Sequence, residues 1–503
     1  MSTVCVQMAA RRAGEPAWEA VRHCLDVQAP WSRRLLDGTK TVETRSYPLP
    51  TQLEGRALGL LETSPGGGEP RAGLLVGTLR FGPSFRYPSE EAWAADADRH
   101  GVCPADPGAF GFSATEEKWG WPVLSAQPAR YHVAPPPLRQ ELRSIFALDW
   151  ARGKGRVFLR PGFADTLRAA TDHLRQQPAS SLLCLADFDR TLSAYAAPPP
   201  GAGASQAAEG AQDGEVEVGE ECHDVLFHHA ELGEGFAATV APLLAAADAD
   251  KDAASPQDMA ELLGMARGQW REWEDYAEWW WRTAHDAMAE AGLTRVGIAA
   301  AVARGRVALR PGVGELVAGL REAGAPLVVV SAGITDVIDA LMSAEVGPEL
   351  WPTPRPPLPA AGDGTAPLPP VIVHSNTGVF DSSGRLLGFE PEPPIHWLNK
   401  IDTTRPLAAQ LGLGSKVVLL LGDSVKDVTM VEGLDAADEP PVVLRIGFLN
   451  TSQDARSAEL EEHMAVFDAC VAGDGPLDFV LEVLAQLWEA ERAGAEAAGA
   501  ARL

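Results

Sequence analysis

A short apolar run, Leu182-Leu-Cys-Leu-Ala186, stops abruptly at Asp187-Phe-Asp189-Arg-Thr191-Leu-Ser193. Apolar residues bounded so sharply describe a buried strand whose carboxyl end carries acids. A spacing of two puts Asp187 and Asp189 on one side of an extended chain. Open α/β sheets bind ligands in the crevice beyond such strand ends. Two like charges on one edge repel unless a cation lies between them, and a divalent metal suits that place. Taken alone, the motif reads equally as a capped strand end with solvated acids.

Three further pieces follow in order. Val328-Val-Val-Ser331-Ala332-Gly333 is a second apolar strand ending in a hydroxyl and a glycine, and it leads into a helical pattern. That arrangement suits a phosphate held by Ser331 and main-chain N–H groups. Lys400, in His396-Trp-Leu-Asn-Lys400, offers a compact cation for phosphate charge. A third buried strand, Val417 to Leu421, ends in Gly422-Asp423-Ser424, with Asp427 close behind. Strands alternating with helical patterns predict an α/β fold with a doubly wound, mostly parallel sheet.

The segment between Asp187 and Ser331 is far longer than one crossover helix needs. Its pattern is largely helical (231–248, 256–290 and 296–304), which predicts an inserted cap over the first strand's end. Trp270, Trp273, Tyr276, Trp279, Trp280 and Trp281 crowd the cap, and no single helix face can bury them all. Either the helix packs on two sides, or one or two rings face the site and stack a nucleobase.

As a set these segments resemble the haloacid-dehalogenase superfamily of phosphotransferases. More narrowly, residues 156–488 are similar to the cytosolic 5′-nucleotidase III (pyrimidine 5′-nucleotidase) family. Ser375-Asn376, the hairpin from Phe380 to Phe389 and Leu444-Arg-Ile-Gly-Phe-Leu-Asn450 add to the likeness. The resemblance implies a phosphoric monoester hydrolase acting on nucleoside 5′-monophosphates, pyrimidine or 7-methylguanosine. Asp187 would be the nucleophile, Asp189 the acid and base, and Lys400 a catalytic cation. Thr191, Ser331, Ala332, Gly333 and Lys400 would hold phosphate. Mg²⁺ would sit on Asp187, Asp189 (through its carbonyl) and Asp423, with Asp427 and Ser424 orienting Lys400 or a metal-bound water. For the base, alignment on His285 nominates Glu272, with Glu274 its competitor, beside Tyr276 and Trp280. A phosphoserine-phosphatase-like enzyme and an RNA-binding regulator with an inert phosphatase domain are the alternatives.

In the first third, Asp37-Gly-Thr-Lys40-Thr-Val-Glu43-Thr-Arg45 reads as a turn feeding a polar strand on which Thr41, Glu43 and Arg45 share a face. Such a strand is ordinarily a self-paired, solvated face. With the helical Ser32–Leu36 and the strand Leu75–Arg80, residues 20–150 resemble the ASCH domain, a small α+β, β-barrel module akin to RNA-binding PUA domains. The resemblance implies a nucleotide or RNA ligand near Lys40, Glu43 and Arg45. Amidohydrolase members carry a threonine three residues after the lysine; Glu43 stands there, which argues against that activity.

The expected organisation is a ragged terminus (1–19), the ASCH-like domain (20–150), a catalytic core (151–196 and 306–490), a flexible insertion (197–221), the cap (222–305), a Pro/Gly-rich loop (352–371) and a disordered tail (491–503). The chain carries −27 overall, yet residues 1–180 hold 22 Lys+Arg against 19 Asp+Glu. An acidic body repels polynucleotides, so DNA is not expected and any RNA contact belongs to the first third. Six cysteines without paired spacing suggest a reducing compartment. No apolar run reaches membrane-spanning length. A cytoplasmic protein is expected, with an organellar address in the acid-free first 14 residues as the other reading.

Overall fold

Each apolar run that ends at a candidate site residue is a strand in the computed structural model. It describes residues 16–64, 73–102, 111–112, 115–150, 155–197, 217–249, 255–263, 265, 270–355, 368–411, 417–434, 440–452, 454 and 457–500. The chain divides into two units, 1–163 with 452–464, and 164–451 with 465–503. Much of the expected insertion (197–221) and of the Pro/Gly-rich loop (352–371) lies outside the described residues.

In the first unit, β1 (His23–Gln28) is followed by α1 (Trp31–Leu36), β2 (Val42–Arg45), β3 (Ala57–Thr63), β4 (Leu74–Phe81), the long β5 (Trp119–Val133), β6 (Leu138–Leu142), β7 (Ile145–Leu148) and β8 (Arg156–Leu159). β1 runs parallel to β3, and β3–β4 and β4–β5 are antiparallel. Leu25, Leu35, Leu60, Leu79, Phe81 and Trp121 pack the core. Among the described residues these ladders form a path and not a closed ring. Side chains bridge the gap instead, because Arg45 donates to the Asp26 carbonyl at 2.8 Å and to Ser144 Oγ at 2.9 Å.

β8 corrects the expected boundary at residue 151. Phe158 and Leu159 pair with Val133 and His132 of β5, so this strand belongs to the amino-terminal unit. The helix that follows, α2 (Phe163–Leu174), begins only after this strand, because the β-branched and aromatic residues 157–158 join a sheet edge and Pro161-Gly162 breaks the chain.

The second unit is built on β9 (Leu182–Ala186), fully buried along its length. Among the described residues five helices follow: α3 (Cys222–His229), α4 (Gly233–Ala249), α5 (Pro256–Leu262), α6 (Trp273–Glu290) and α7 (Arg295–Arg304). Then come α8 (Val313–Ala323), β10 (Leu327–Ile334), α9 (Thr335–Glu345), β11 (Val371–Phe380), β12 (Leu386–Glu390), α10 (Lys400–Leu411), β13 (Val417–Gly422), β14 (Val442–Leu449), β15 (Ala469–Ala472) and α11 (Asp478–Ala500). β9 lies between β10 and β13, parallel to both; β11, β14 and β15 continue the parallel sheet, and β12 is antiparallel at its edge. The chain leaves β9 for one side and reaches the other later, which makes its carboxyl end a topological switch point. The tail expected at 491–503 is helical through Ala500, since Ala- and Glu-rich sequence carries high helix propensity. Among the described residues no helix is long and apolar enough to cross a membrane.

Candidate active site

The register of the central strands places the chemistry. Ala186 pairs with Leu421 on one side and Val329 on the other, so Asp187, Ser331 and Asp423 emerge at one edge. Asp187 N–H extends the ladder by donating to the Leu421 carbonyl at 3.0 Å. Lys400 heads α10, and its ammonium sits 2.7 Å from Asp187 and 2.7 Å from Asp427. Thr191 Oγ1 donates to Asp423 at 3.4 Å, and the Ser424 N–H donates to Asp427 at 2.9 Å. Asp427 packs so closely that a Cβ on residue 422 would meet its Cβ at 2.5 Å, which reserves that position for Gly422.

Ionisable oxygens of Asp187, Asp423 and Asp427 lie within 4.8 Å of one another. Burial, opposed by Lys400 and reinforced by Asp427, pushes Asp187 up to about 7. Burial, then Glu221 and Asp187, raises Asp189 to about 8. Burial and the neighbouring Asp427 and Asp187 hold Asp423 well above the carboxylate range. Lys400 stays charged although burial works against it, because Asp187 and Asp427 flank it. One ammonium among so many carboxylates leaves negative charge uncompensated. Hard oxygen donors with a charge deficit of that sign fit a divalent cation of the Mg²⁺ kind.

Across the edge, Ser331 Oγ accepts from the Gly333 N–H at 2.9 Å, shaping a tight loop. Asn376 secures it from β11, donating to the Ala332 carbonyl at 2.9 Å and the Gly333 carbonyl at 3.2 Å. A Cβ at Gly333 would lie 2.7 Å from Cys222 Sγ and 2.8 Å from Asp189 Oδ2. Only glycine lets the cap's first helix and the acid approach this backbone. The Cys222 N–H donates to Asp189 at 3.1 Å, so α3 fixes that carboxyl by its amino-terminal edge.

One residue the sequence reading passed over organises the Asp187–Ser193 loop. Arg310 is buried, and its guanidinium donates to the carbonyls of Thr191 (2.7 Å), Arg190 (2.6 Å) and Gly475 (2.6 Å). It also reaches Asn450 Oδ1 at 2.8 Å and Asp474 at 3.0 Å, and it stacks on Phe448 at 4.4 Å. Arg190 and Asp474 both hold left-handed backbone, φ +60° and +51°, a costly conformation for side-chain-bearing residues. Arg310 ties the two together. The signal in sequence was an arginine directly before Pro311-Gly312 at the return from the cap.

In the cap, α6 sorts its rings by rotation. Tyr276 packs on Trp270 and Trp273, and Trp280 donates to the Leu243 carbonyl at 3.0 Å, so both serve the cap's interior. Glu272 is exposed at the amino end of α6, in a capping box with Asp275, and Glu274 is exposed beside it. Of the residues expected at a base, Tyr276 and Trp280 thus make their contacts within the cap, and Glu272 caps α6 at the surface. Trp281 is the ring that reaches the site, its indole N–H donating to the Ala332 carbonyl at 2.8 Å. His223 lies 5.7 Å and His396 6.2 Å from its ring, and His285 stacks on Phe389 at 4.2 Å.

Residues 268–347 and 366–488 match the family model of pyrimidine 5′-nucleotidase (UMPH-1). Over those residues the chain is similar to that family. It is 29% identical over 208 residues to the 7-methylguanosine phosphate-specific 5′-nucleotidase of Gallus gallus, covering 41% of this chain and 63% of that protein. The match thus spans less than two thirds of that relative's length. A crystal structure of cytosolic 5′-nucleotidase IIIB bound to cytidine aligns with 67% of this chain and 94% of its own, at 20% identity and a TM-score of 0.47. The pyrimidine 5′-nucleotidase match begins beyond the Asp187 loop. β9 brings that loop beside the matched strands by pairing between β10 and β13.

The first unit lies outside the pyrimidine 5′-nucleotidase match. The ASCH structure from Zymomonas mobilis aligns with 26% of this chain and 89% of its own, at 15% identity and a TM-score of 0.20. Lys40 is buried, donating to the His100 carbonyl at 2.6 Å and pairing with Glu43 at 3.3 Å. Arg45 pairs with Glu43 at 2.9 Å. Burial opposes the charge on Glu43, yet Lys40 and Arg45 hold its carboxyl below the ordinary range. The expected presentation of Lys40 and Arg45 to a ligand's phosphates is thereby corrected: both cations are consumed inside the unit.

Proposed function

We propose that this chain is a Mg²⁺-dependent 5′-nucleotidase that releases phosphate from nucleoside 5′-monophosphates through an aspartyl-phosphate. The observation that carries the reading is the Lys400 ammonium, set 2.7 Å from both Asp187 and Asp427 beside Asp423 at the sheet's switch point. Asp187 attacks phosphorus and becomes the acyl phosphate. Asp189, protonated at neutral pH, gives its proton to the departing 5′-oxygen, then takes one from the water that frees phosphate. Ser331, the Gly333 N–H and Lys400 bear the equatorial oxygens, with Thr191 holding Asp423 in place. Asp187, the Asp189 carbonyl and Asp423 would hold the cation, which supplies the charge neutralisation that lets carboxylate approach phosphate. Asp427 holds Lys400.

Phosphate release from a panel of nucleoside monophosphates, with Mg²⁺ and with excess chelator, tests this. Turnover of CMP or 7-methylguanosine monophosphate is expected only with metal, and preference for phosphoserine would replace the reading with a small-molecule phosphatase. The specificity of the Gallus gallus relative and the aromatic rings gathered at Trp281 favour 7-methylguanosine monophosphate among the panel.

The base stacks on Trp281 in this reading, with His223, His285 and His396 around it. Base stacking contributes ~1–3 kcal/mol, so Trp281→Leu should raise KM about 5- to 150-fold with a smaller change in kcat. Glu272→Ala should leave the ratio of kcat/KM between CMP and 7-methylguanosine monophosphate as in wild type. The opposite pattern in steady-state kinetics would return base reading to Glu272.

A further inference from the structure

The first unit holds a cavity of about 540 Å³ whose wall carries Arg22, Arg56 and Arg80. Strand register builds its floor. Arg80 of β4 lies opposite Ala57 of β3 and Ser125 of β5, and Thr78, two residues earlier on the same face, lies opposite Gln127. The alternate residues Leu79 and Phe81 turn into the unit's core. A sheet face that offers a hydroxyl, a guanidinium, a second hydroxyl and an amide toward one hollow is built for a polar guest.

Charge identifies that guest. No carboxylate is among the described residues of the wall, and among the described residues none pairs with Arg22, Arg56 or Arg80. Arg80 has one internal tie, donating to the Gly55 carbonyl at 2.8 Å, which fixes one arm and leaves the rest of its fork to the cavity. All three guanidiniums are exposed, in a chain whose net charge is −27. The contrast with Lys40 and Arg45, neutralised by Glu43, is direct. Guanidinium forks match phosphate oxygens in pairs, and the volume is that of a small-molecule site.

We infer that this cavity binds a small molecule carrying two or more linked phosphates, of the pyrophosphate or nucleoside di- and triphosphate class. Three positive charges balance a diphosphate, which a single phosphate does not require. Thr78, Ser125 and Gln127 hydrogen-bond the remainder. The site is separate from the strand-end carboxylates of the other unit and does not depend on the nucleotidase reading.

Calorimetric titration of the full chain with pyrophosphate and with ADP, at low ionic strength and in excess chelator, tests it. One-site binding of both is expected, weakened at least about tenfold by Arg56→Gln/Arg80→Gln, and less by Arg56→Lys/Arg80→Lys, which keeps charge but loses the fork. Lys400→Met should leave it unchanged, and the Gln pair should keep wild-type nucleotidase activity and melting. Binding of pyrophosphate without ADP marks a site for the free anion, and binding of ADP at least as tight marks a nucleotide site; either supports the inference. No binding below about 1 mM, or binding lost with Lys400→Met and kept in the Gln pair, overturns it. Capture of an RNA oligonucleotide that pyrophosphate does not displace also overturns it, in favour of an extended nucleic-acid face.

Discussion

Asp187→Asn is expected to lower kcat by at least ~10³-fold, and Asp189→Asn by a comparable ~10²–10⁴-fold, for different reasons. The first removes the attacking carboxylate, so no leaving group can rescue it. The second removes a proton donor, which p-nitrophenyl phosphate does not need. Asp189→Asn should therefore react with that ester once and stall as the acyl phosphate, whose hydrolysis still requires a base. A rapid-mix assay would show a single-turnover burst for Asp189→Asn and none for Asp187→Asn. Because burial pushes Asp187 up to about 7 without a cation, the amide should not destabilise the metal-free protein. Turnover within tenfold of wild type for Asp187→Asn would end the covalent mechanism.

Arg310→Met should be the most damaging single change to stability. It strips the half-buried Asp474 of its cation and leaves the carbonyls of Thr191 and Gly475 without their guanidinium donor, while that of Arg190 keeps only Asn450 Nδ2. Breaking a buried pair on one side costs ~3–5 kcal/mol, and at ~2–4 °C per kcal/mol for a unit of this size the melting point should fall by about 6–20 °C. Arg310→Lys keeps the charge and loses the fork, so it should fall between. Below its melting point the methionine variant should lose about 10- to 100-fold in kcat with KM nearly unchanged, since the loop that carries Asp187 to Thr191 loses its fixed geometry. A variant that melts with wild type would reduce Arg310 to a replaceable space-filler.

How much could be read before folding differs from one part of the site to another. Asp187, Asp189, Ser331 and Asp423 were legible because each follows an apolar run, and the end of a buried strand is a local property of the chain; Lys400, at the head of a helix, was legible only as a lone cation in the His396–Lys400 segment. Cap helices were legible as helices from periodicity, yet Trp280 and Trp281 are adjacent and have opposite fates. One donates into the cap's interior and the other to the Ala332 carbonyl. Neighbours on a helix point about 100° apart, so the choice rests on the rotation of α6 against α4 and the core.

Lys40 and Arg45 make the same point for charge. A polar strand with basic residues looks like a phosphate contact until Glu43 is found buried between them. Arg80 gives no comparable signal in sequence, and it faces a cavity only because β3 and β5 flank it with Ala57 and Ser125. Sequence alone determined the parallel core, its strand-end acids and the inserted cap, since strand burial and helix periodicity are set within a few residues. Tertiary structure alone decided which aromatic ring reaches the Ala332 loop, which cations are neutralised and how Arg310 clamps the Asp187–Ser193 turn. Those outcomes depend on partners brought together from distant parts of the chain, and no local pattern encodes them.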